Sequence, residues 1–185
     1  MQTKEEVRSS LRQRSKQFAP SSFILEDRAS VDALLRSPSY ENCATLFAFS
    51  PLPSEVDISL VLEDALSHKR LALPRCQGDS LKFLFVSAGW NERVRLSKLG
   101  VREPIGGDIA IPDSQSLILV PAMAYTTTGE RLGRGKGYYD RYLEEFPTIP
   151  TVGICRSYQL LDSLPTEDWD VQVGEVLCNG VIYQT

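Results

Sequence analysis

The sequence predicts an α/β domain with a largely parallel sheet. Short apolar runs typical of buried strands are separated by segments whose apolar residues recur at helical spacing. Of its 185 residues, 42% are hydrophobic and 24% charged, which is the composition of a globular chain long enough to bury one core. Because no repeat, low-complexity tract or linker divides the chain, we expect a single domain over residues 1–185.

Apolar residues at helical spacing predict four helices. Val7, Leu11 and Phe18 lie on one face of the first, and Ser37-Pro38 should end the second, because the residue before a proline disfavours helical geometry. The predicted helices cover residues 3–18, about 26–36, 58–66 and about 138–146.

Six short apolar runs predict strands. The clearest is LILVP, since an unbroken apolar run suits a strand that is covered on both faces. VREPIGGDIAIPD (101–113) is rich in Gly, Pro and Asp and is predicted to be irregular. The predicted strands are TLFAF (45–49), LALP (71–74), LKFLFV (81–86), LILVP (117–121), PTVGIC (150–155) and VQVGEVL (171–177).

The charge and the N-terminal segment bear on location and partners. The net charge is −4, so the overall field should not attract nucleic acid or acidic membranes. No run approaches the roughly 20 apolar residues that a membrane-spanning helix needs. MQTKEEVRSSLRQRSK lacks the apolar core of a signal peptide. We therefore expect a cytoplasmic protein that binds neither nucleic acid nor membranes.

The cysteines and the histidine form no catalytic motif. Cys43, Cys76, Cys155 and Cys178 are far apart in sequence, so we interpret them as buried apolar side chains in a reducing compartment. His68, the only histidine, stands near a predicted helix end, where the helix dipole favours a cation. This argues against Ser-His-Asp, Cys-His and histidine–metal chemistry. Phosphoryl transfer, which depends on positioning and electrostatics, fits better.

RLGRGKGYYDRYL (131–143) is the most informative segment. It follows the clearest strand, and ligands of open parallel sheets bind beyond the carboxyl ends of strands. Its glycines alternate with Arg134 and Lys136, so backbone amides can approach an anion that the basic side chains attract. From Arg131 to Arg141 there are four basic residues and one acid, within an acidic chain. We interpret the segment as a phosphate-binding loop; the simpler interpretation is a solvated basic turn.

The spacing matches neither standard nucleotide motif. A Walker A loop would need glycine in place of Glu130 and Ser or Thr in place of Gly137. The dinucleotide fingerprint needs G-x-G-x-x-G, whereas the spacing here is G-x-G-x-G. The residues alone therefore predict phosphate binding and leave the reaction open.

The segment resembles the signature of the 5-formyltetrahydrofolate cyclo-ligase family, in which a strand ending in Val-Pro leads to G-x-R-L-G-x-G-x-G-Y-Y-D-R. The resemblance covers nearly the whole chain, because weaker matches occur in the family's order on both sides. They are Lys4 and Arg8 on the first helix, Glu55 in PLPSEVD, Arg75 in LALPR, GVREP (100–104) and Asp170 in SYQLLDSLPTEDWDVQVGEV.

The resemblance implies a fold and a reaction. The fold is a single three-layer α/β domain, with helices on both sides of a mostly parallel mixed sheet, as in phosphosugar isomerases and CoA transferases. The reaction is the ATP- and Mg²⁺-dependent closure of 5-formyltetrahydrofolate to 5,10-methenyltetrahydrofolate. The formyl oxygen attacks the γ-phosphate, and the neighbouring nitrogen then displaces phosphate from the phosphorylated iminium. The expected partners are small molecules bound to a monomer.

The family pattern also assigns roles to residues. Arg134 and Lys136 are expected to be catalytic, next to the transferred phosphoryl group, and Asp140 and Asp170 to hold Mg²⁺. Glu55, Tyr138 and Tyr139 are expected to bind the folate. The expected nucleotide-binding residues are Lys4, Arg8, Arg131, Leu132, Gly133, Arg134, Gly135, Lys136, Gly137, Tyr138 and Tyr139.

Several of these residues also have purely structural interpretations. Asp140 lies in a first helical turn, where the dipole favours an acid, and Asp170 can cap a turn. Lys4 and Arg8 can form a solvated helix face. Glu55 lies in a proline-rich loop, where an exposed acid needs no explanation, and the paired tyrosines can simply pack.

Two other functions stay open. The basic residues and paired tyrosines could hold RNA or a free nucleotide without catalysis, although charge confined to one loop and one helix face is a poor footprint for a polyanion. Alternatively, an enzyme of the same fold could act on another formylated or pyrimidine-like substrate. Tyr125, Thr126 and Trp169 depart from the family pattern and are the positions expected to set such a change.

Overall fold

A computed structural model describes residues 2–98 and 100–185 and shows an eight-stranded sheet with helices on both faces. The helices are α1 (Lys4–Ser15), α2 (Ile24–Leu35), α3 (Pro38–Glu41), α4 (Ser59–His68) and α5 (Tyr138–Glu145), with 3-10 turns at Pro20–Phe23, Trp90–Glu92 and Ser157–Gln159. The strands are β1 (Thr45–Phe47), β2 (Arg70–Gln77), β3 (Ser80–Val86), β4 (Val94–Leu96), β5 (Arg102–Pro104), β6 (Ile109–Ala110), β7 (Ser116–Val120), β8 (Ala124–Tyr125), β9 (Arg131–Leu132), β10 (Thr151–Cys155), β11 (Glu175–Cys178) and β12 (Val181–Gln184).

The main sheet has the strand order β12-β11-β10-β7-β1-β2-β3-β6. The five central strands β11, β10, β7, β1 and β2 are parallel, and the outer strands β12, β3 and β6 are antiparallel. The chain passes from β1 through α4 to β2 on one side, and from β7 through α5 to β10 on the other. The connections therefore diverge between β1 and β7, and this divergence opens a crevice at the carboxyl ends of those two strands.

The three layers follow from the alternation of side chains along buried strands. On β7, Leu117 and Leu119 point to one face and pack with α2, α3 and α4. Ile118 and Val120 point to the other face and pack with α5. This confirms the predicted three-layer domain with a mostly parallel mixed sheet, and it explains why the strand is apolar from Leu117 to Val120.

Helix α1 lies outside these layers and covers the carboxyl end of the sheet. Its buried residues Val7 and Leu11 pack on Leu132 of the small β8–β9 ribbon. The helix ends at Ser15, three residues earlier than predicted, and the ring of Phe18 turns onto neighbouring aromatic rings instead. The face of α1 that carries Lys4 and Arg8 is thereby held against the Gly-rich segment (residues 131–143).

Several strands differ from the sequence prediction. The last predicted strand begins only at Glu175, because Val171 and Val173 use their amides to bond Asp140 and the carbonyl of Gly129. The segment predicted to be irregular contains β5 and β6, and β5 pairs with β4 to form a separate ribbon. Strand β12 was not predicted, although the Asn-Gly turn before it is a strong hairpin signal.

The cysteines and the histidine lie mostly where the sequence placed them. Cys43, Cys155 and Cys178 are buried free thiols, although Cys155 and Cys178 are neighbours across β10 and β11. Cys76 is only half-buried. His68 ends α4 and is exposed, as predicted. Among the described residues, no helix has the length and apolar character needed to cross a bilayer.

A tight contact between a glycine and a tyrosine sets the packing of β10. Tyr125 is fully buried and donates a hydrogen bond to the carbonyl of Val120. Its ring lies so close to Gly153 that a Cβ atom there would overlap it. We therefore expect Gly153→Ala to lower the free energy of unfolding by about 1–3 kcal/mol, as overpacking does.

Urea unfolding of both this variant and Gly174→Ala measures the effect. A Cβ atom at Gly174 would lie 3.6 Å from its nearest neighbour, an ordinary contact, so this control should lose less than about 1 kcal/mol. Equal losses in the two variants would show that the Tyr125 ring moves aside without cost.

Candidate active site

A cavity of about 550 Å³ opens at the carboxyl ends of β1, β2 and β7, where the connections diverge. The loop after β1 contributes Glu55 and β2 contributes Cys76, and the Gly-rich segment, α1, β5 and the turn before Asp170 contribute further parts of the wall. All of the predicted site residues line this one cavity: Lys4, Arg8, Glu55, Arg131, Leu132, Gly133, Arg134, Gly135, Lys136, Gly137, Tyr138, Tyr139, Asp140 and Asp170. Residues 166 positions apart in sequence thus share a single site.

The Gly-rich turn (residues 133–137) has a backbone conformation that residues other than glycine adopt only with strain. Gly135 and Gly137 have φ values of 93° and 63°, and Gly137 precedes the first turn of α5. The guanidinium of Arg8 lies against Gly135 and donates through Nε to the carbonyl of Gly133 at 2.9 Å. Helix α1 is therefore fixed to the turn by a direct hydrogen bond, and the turn brings its backbone close to the cavity.

Lys4 is held by two acids at one end of the cavity. Its ammonium donates to Asp170 at 2.6 Å and to Glu167 at 2.7 Å. Burial alone would lower the pKa of Lys4, but these two hydrogen-bonded carboxylates outweigh it and leave the pKa raised. Lys4 therefore carries its charge throughout the physiological range.

Arg134 and Lys136 differ in what they contact. Arg134 donates to the buried carboxylate of Glu55 at 2.9 Å, so it joins the Gly-rich turn to the loop after β1. The ammonium of Lys136 has no hydrogen bond or ion pair within the described part of the chain, and the residue is exposed. Lys136 is thus a cation with no protein acid to displace when an anion arrives.

The two predicted metal ligands both bind protein cations. Arg131 donates to Asp140 Oδ1 at 2.5 Å, while Asp140 Oδ2 faces Gly137. Lys4 binds both oxygens of Asp170. Within the described residues, no group of three or more His, Cys, Asp or Glu side chains could hold a metal by itself. Asp140 Oδ2 therefore suits Mg²⁺ bound chiefly by phosphate oxygens, whereas Asp170 suits it only once Lys4 has moved to a phosphate.

The paired tyrosines point in different directions. The hydroxyl of Tyr138 donates to the carbonyl of Gly78 at 3.0 Å. The hydroxyl of Tyr139 is buried and has no hydrogen-bond partner among the described residues. Burial, followed by the nearby carboxylate of Glu55, raises the pKa of Tyr139 well above its usual value, so the hydroxyl keeps its proton. Tyr139 lines the cavity, and its hydroxyl is a donor that the described residues leave unused.

A second buried acid lines the cavity and was not predicted to be a site residue. Glu103 on β5 is 3% exposed and accepts from the backbone amide of Cys76 at 3.0 Å and from Arg95 at 3.1 Å. Burial, and then the Glu103 carboxylate, raise the pKa of Cys76 to about 11, so the thiol stays neutral. The resemblance of GVREP to a family element was the one signal that pointed to Glu103.

The positions expected to set substrate choice divide into two groups. Tyr125 and Thr126 are buried and do not line the cavity, so neither side chain touches the space that a substrate would fill, and their effect on substrate choice stays a prediction. Their side chains bond Val120 and Thr128 and belong to the packing beneath the site. Trp169, in contrast, is exposed and lines the cavity.

A buried ion pair positions the loop that carries Glu55. Arg156, just after β10, binds both oxygens of Asp27 on α2 at 2.9 and 2.8 Å and donates to the carbonyl of Pro53 at 3.1 Å. Asp27 also accepts the amide of Asp57 at 3.1 Å. The pair thus holds the loop on both sides of Glu55. No sequence signal could identify it, because its partners are 129 residues apart.

We expect Asp27→Asn to lower the free energy of unfolding by about 3 kcal/mol, because it leaves the buried guanidinium of Arg156 without a counter-charge. Urea unfolding and hydrogen exchange of the backbone amides of residues 54–57 measure the effect, and these amides should exchange faster than in the wild type. Asp32→Asn on the same helix breaks an exposed pair with Arg28 and should cost less than about 1 kcal/mol. Unchanged exchange in Asp27→Asn would contradict the positioning role.

Comparison with known proteins agrees with this geometry. The model of the 5-formyltetrahydrofolate cyclo-ligase family matches residues 1–179. The 5-formyltetrahydrofolate cyclo-ligase of Escherichia coli (strain K12) is 25% identical over 180 residues, which cover 94% of this chain and 99% of the relative. That of Mycolicibacterium smegmatis is 32% identical over 142 residues, which cover 72% of each chain.

Solved structures give the same result. The NMR structure of 5,10-methenyltetrahydrofolate synthetase from Aquifex aeolicus has a TM-score of 0.85 and 26% identity, covering 98% of this chain and 92% of that one. The structure of the Mycoplasma pneumoniae synthetase has a TM-score of 0.75 at 23% identity and supports the fold. Since the family match extends over nearly the whole sequence, this chain belongs to the 5-formyltetrahydrofolate cyclo-ligase family.

Proposed function

We propose that this chain closes 5-formyltetrahydrofolate to 5,10-methenyltetrahydrofolate at the expense of ATP, with Mg²⁺, and releases ADP and phosphate. One observation carries the proposal: the basic Gly-rich turn lines the cavity and contacts two different groups of residues there, one at each end. Arg134 of the turn reaches Glu55 at one end. Gly133 of the turn bonds Arg8, which shares a helix face with Lys4 at the other end.

The positions of the charges suit phosphoryl transfer between the two ends. A formyl oxygen is a poor leaving group, and phosphorylation makes it a good one. As the γ-phosphoryl group transfers, charge spreads over its oxygens, and Arg134 and Lys136 can neutralise it. The positive φ of Gly135 and Gly137 lets the backbone approach those oxygens closely.

The nucleotide would take over cations that the acids now hold. Lys4 and Arg8 would bind phosphate oxygens in place of Asp170 and the carbonyl of Gly133. Asp140 and Asp170 would then hold Mg²⁺ together with those oxygens. Bound Mg²⁺ would supply positive charge that neutralises the phosphates.

The folate would occupy the end that contains Glu55 and Glu103. The pterin ring carries N–H donors, and a carboxylate is an acceptor with two oxygens. Tyr139 can donate its buried hydroxyl to a carbonyl or formyl oxygen in the same space. Since one chain supplies every residue named here, a monomer is sufficient for the reaction.

The first test follows the near-ultraviolet absorbance of the methenyl product. We expect a rise only when 5-formyltetrahydrofolate, ATP and Mg²⁺ are all present, and Arg134→Ala should reduce kcat about 100-fold, as loss of one transition-state donor does. Arg28→Ala, which removes an exposed arginine on α2, should keep the wild-type rate. ATP turnover that folate does not stimulate would instead indicate another substrate. Wild-type turnover in a folded Arg134→Ala variant would remove Arg134 from the catalytic residues.

The second test concerns the unpaired hydroxyl of Tyr139. We expect Tyr139→Phe to raise the KM for 5-formyltetrahydrofolate about 2- to 10-fold, the range for one neutral hydrogen bond. It should leave the free energy of unfolding unchanged or slightly higher, because the hydroxyl has no partner in the protein.

Tyr142→Phe is the matched control for this test. Its hydroxyl is also buried without a partner in the described structure, but Tyr142 does not line the cavity. Stability should respond in the same way in both variants, whereas KM should respond only in Tyr139→Phe. A KM change of equal size in both would show that the effect is transmitted through the packing around the buried hydroxyls and that the Tyr139 hydroxyl does not contact the substrate.

A further inference from the structure

Trp169 is a large aromatic side chain that lines the cavity while 68% exposed. Single exposed apolar side chains are common on protein surfaces, but Trp169 is the one exposed large apolar side chain of the described residues that lines the cavity, where a bound ligand can cover it. Trp169 belongs to no helix or strand, because it lies in the turn that leads to Asp170.

Hydrogen bonds close the turn that carries Trp169. The amide of Asp170 donates to the carbonyl of Glu167 at 2.9 Å, and the carboxylate of Asp170 accepts from the amide of Glu167 at 2.8 Å. Lys4 crosses the turn by binding both acids. One backbone hydrogen bond and one bond from a backbone amide to a carboxylate thereby close the turn, and Lys4 ties it to α1 before a nucleotide binds.

The order of contacts places Trp169 beyond the phosphate end of the cavity. Arg8 bonds the Gly-rich turn, Lys4 lies one helical turn or about 6 Å further along α1, and Lys4 binds the residue next to Trp169. Glu55 lies on the other side of the Gly-rich turn, where Arg134 reaches it. A nucleotide whose γ-phosphate points toward Glu55 would carry its base toward Trp169.

We propose that Trp169 is the platform on which the nucleobase of the nucleotide stacks. The inference rests on the proposed function, since it requires that a nucleotide occupies the phosphate end. A flat heteroaromatic ring is the chemical class that an exposed indole face binds well, and each such stack contributes substantially to affinity. One ring face does not distinguish adenine from guanine, so Trp169 supplies affinity for purine nucleotides rather than base identity.

The test compares ADP with tripolyphosphate, which has phosphates but no base, by isothermal titration calorimetry with Mg²⁺ present. Trp169→Ala should raise the Kd for ADP about tenfold and change the Kd for tripolyphosphate less than about twofold. Trp169→Phe should restore most of the ADP affinity. Ile111→Ala removes an equally exposed apolar side chain outside the cavity and should change neither Kd.

Fluorescence gives a readout that is independent of affinity. The chain has two tryptophans, and Trp90 packs against the core, so Trp90→Phe leaves Trp169 as the reporter. ADP should quench this signal, and tripolyphosphate should not. If Trp90→Phe fails to fold, the calorimetry in the wild-type background decides the question.

The outcomes separate the two proposals. Equal weakening of ADP and tripolyphosphate by Trp169→Ala, or no weakening of either, would overturn the stacking role and leave the nucleotide site intact. Failure of the wild-type protein to bind both ligands would overturn the nucleotide site and the stacking role together.

Discussion

The site depends on one constraint: positive charge gathered in a partly buried cavity must be neutralised before the substrates arrive. In a chain of net charge −4, the acids are available to do so. Lys4 binds Asp170, and Arg134 binds Glu55. These pairs keep the cations ordered, and they are contacts that phosphate oxygens can replace at little cost, since one charged partner is exchanged for another. Lys136 stands outside this scheme, because its ammonium has no partner in the described structure.

In the proposed reaction, the same exchange would link the metal to the nucleotide. Asp170 would become available to a divalent cation once Lys4 had an alternative anion, and that anion would be the phosphate that also binds the metal. Mg²⁺ and nucleotide would therefore bind together at this edge of the sheet. Asp140 differs, because Arg131 and the amide of Val171 use one of its oxygens and leave the other facing the Gly-rich turn.

The sheet contributes the location of the site and its rigidity. Divergence of the connections between β1 and β7 opens the cavity, and the residues that line it project from loops anchored in well-packed layers. The buried pair of Arg156 and Asp27 extends this rigidity to the loop of Glu55. This pair serves both stability and function, because the interaction that holds α2 to the end of β10 also holds the loop that forms one wall of the cavity.

Sequence by itself determined the fold class, because strand and helix periodicities are local properties of the chain, and it located the Gly-rich turn from composition and spacing. Only the tertiary structure decided which of the adjacent Tyr138 and Tyr139 has an unpaired hydroxyl, that Tyr125 belongs to the core and that Glu103 lines the cavity. It also revealed the pair of Arg156 and Asp27. The reason is physical: burial, ion pairing and the direction of a side chain depend on neighbours that are distant in sequence, and local patterns contain no information about them.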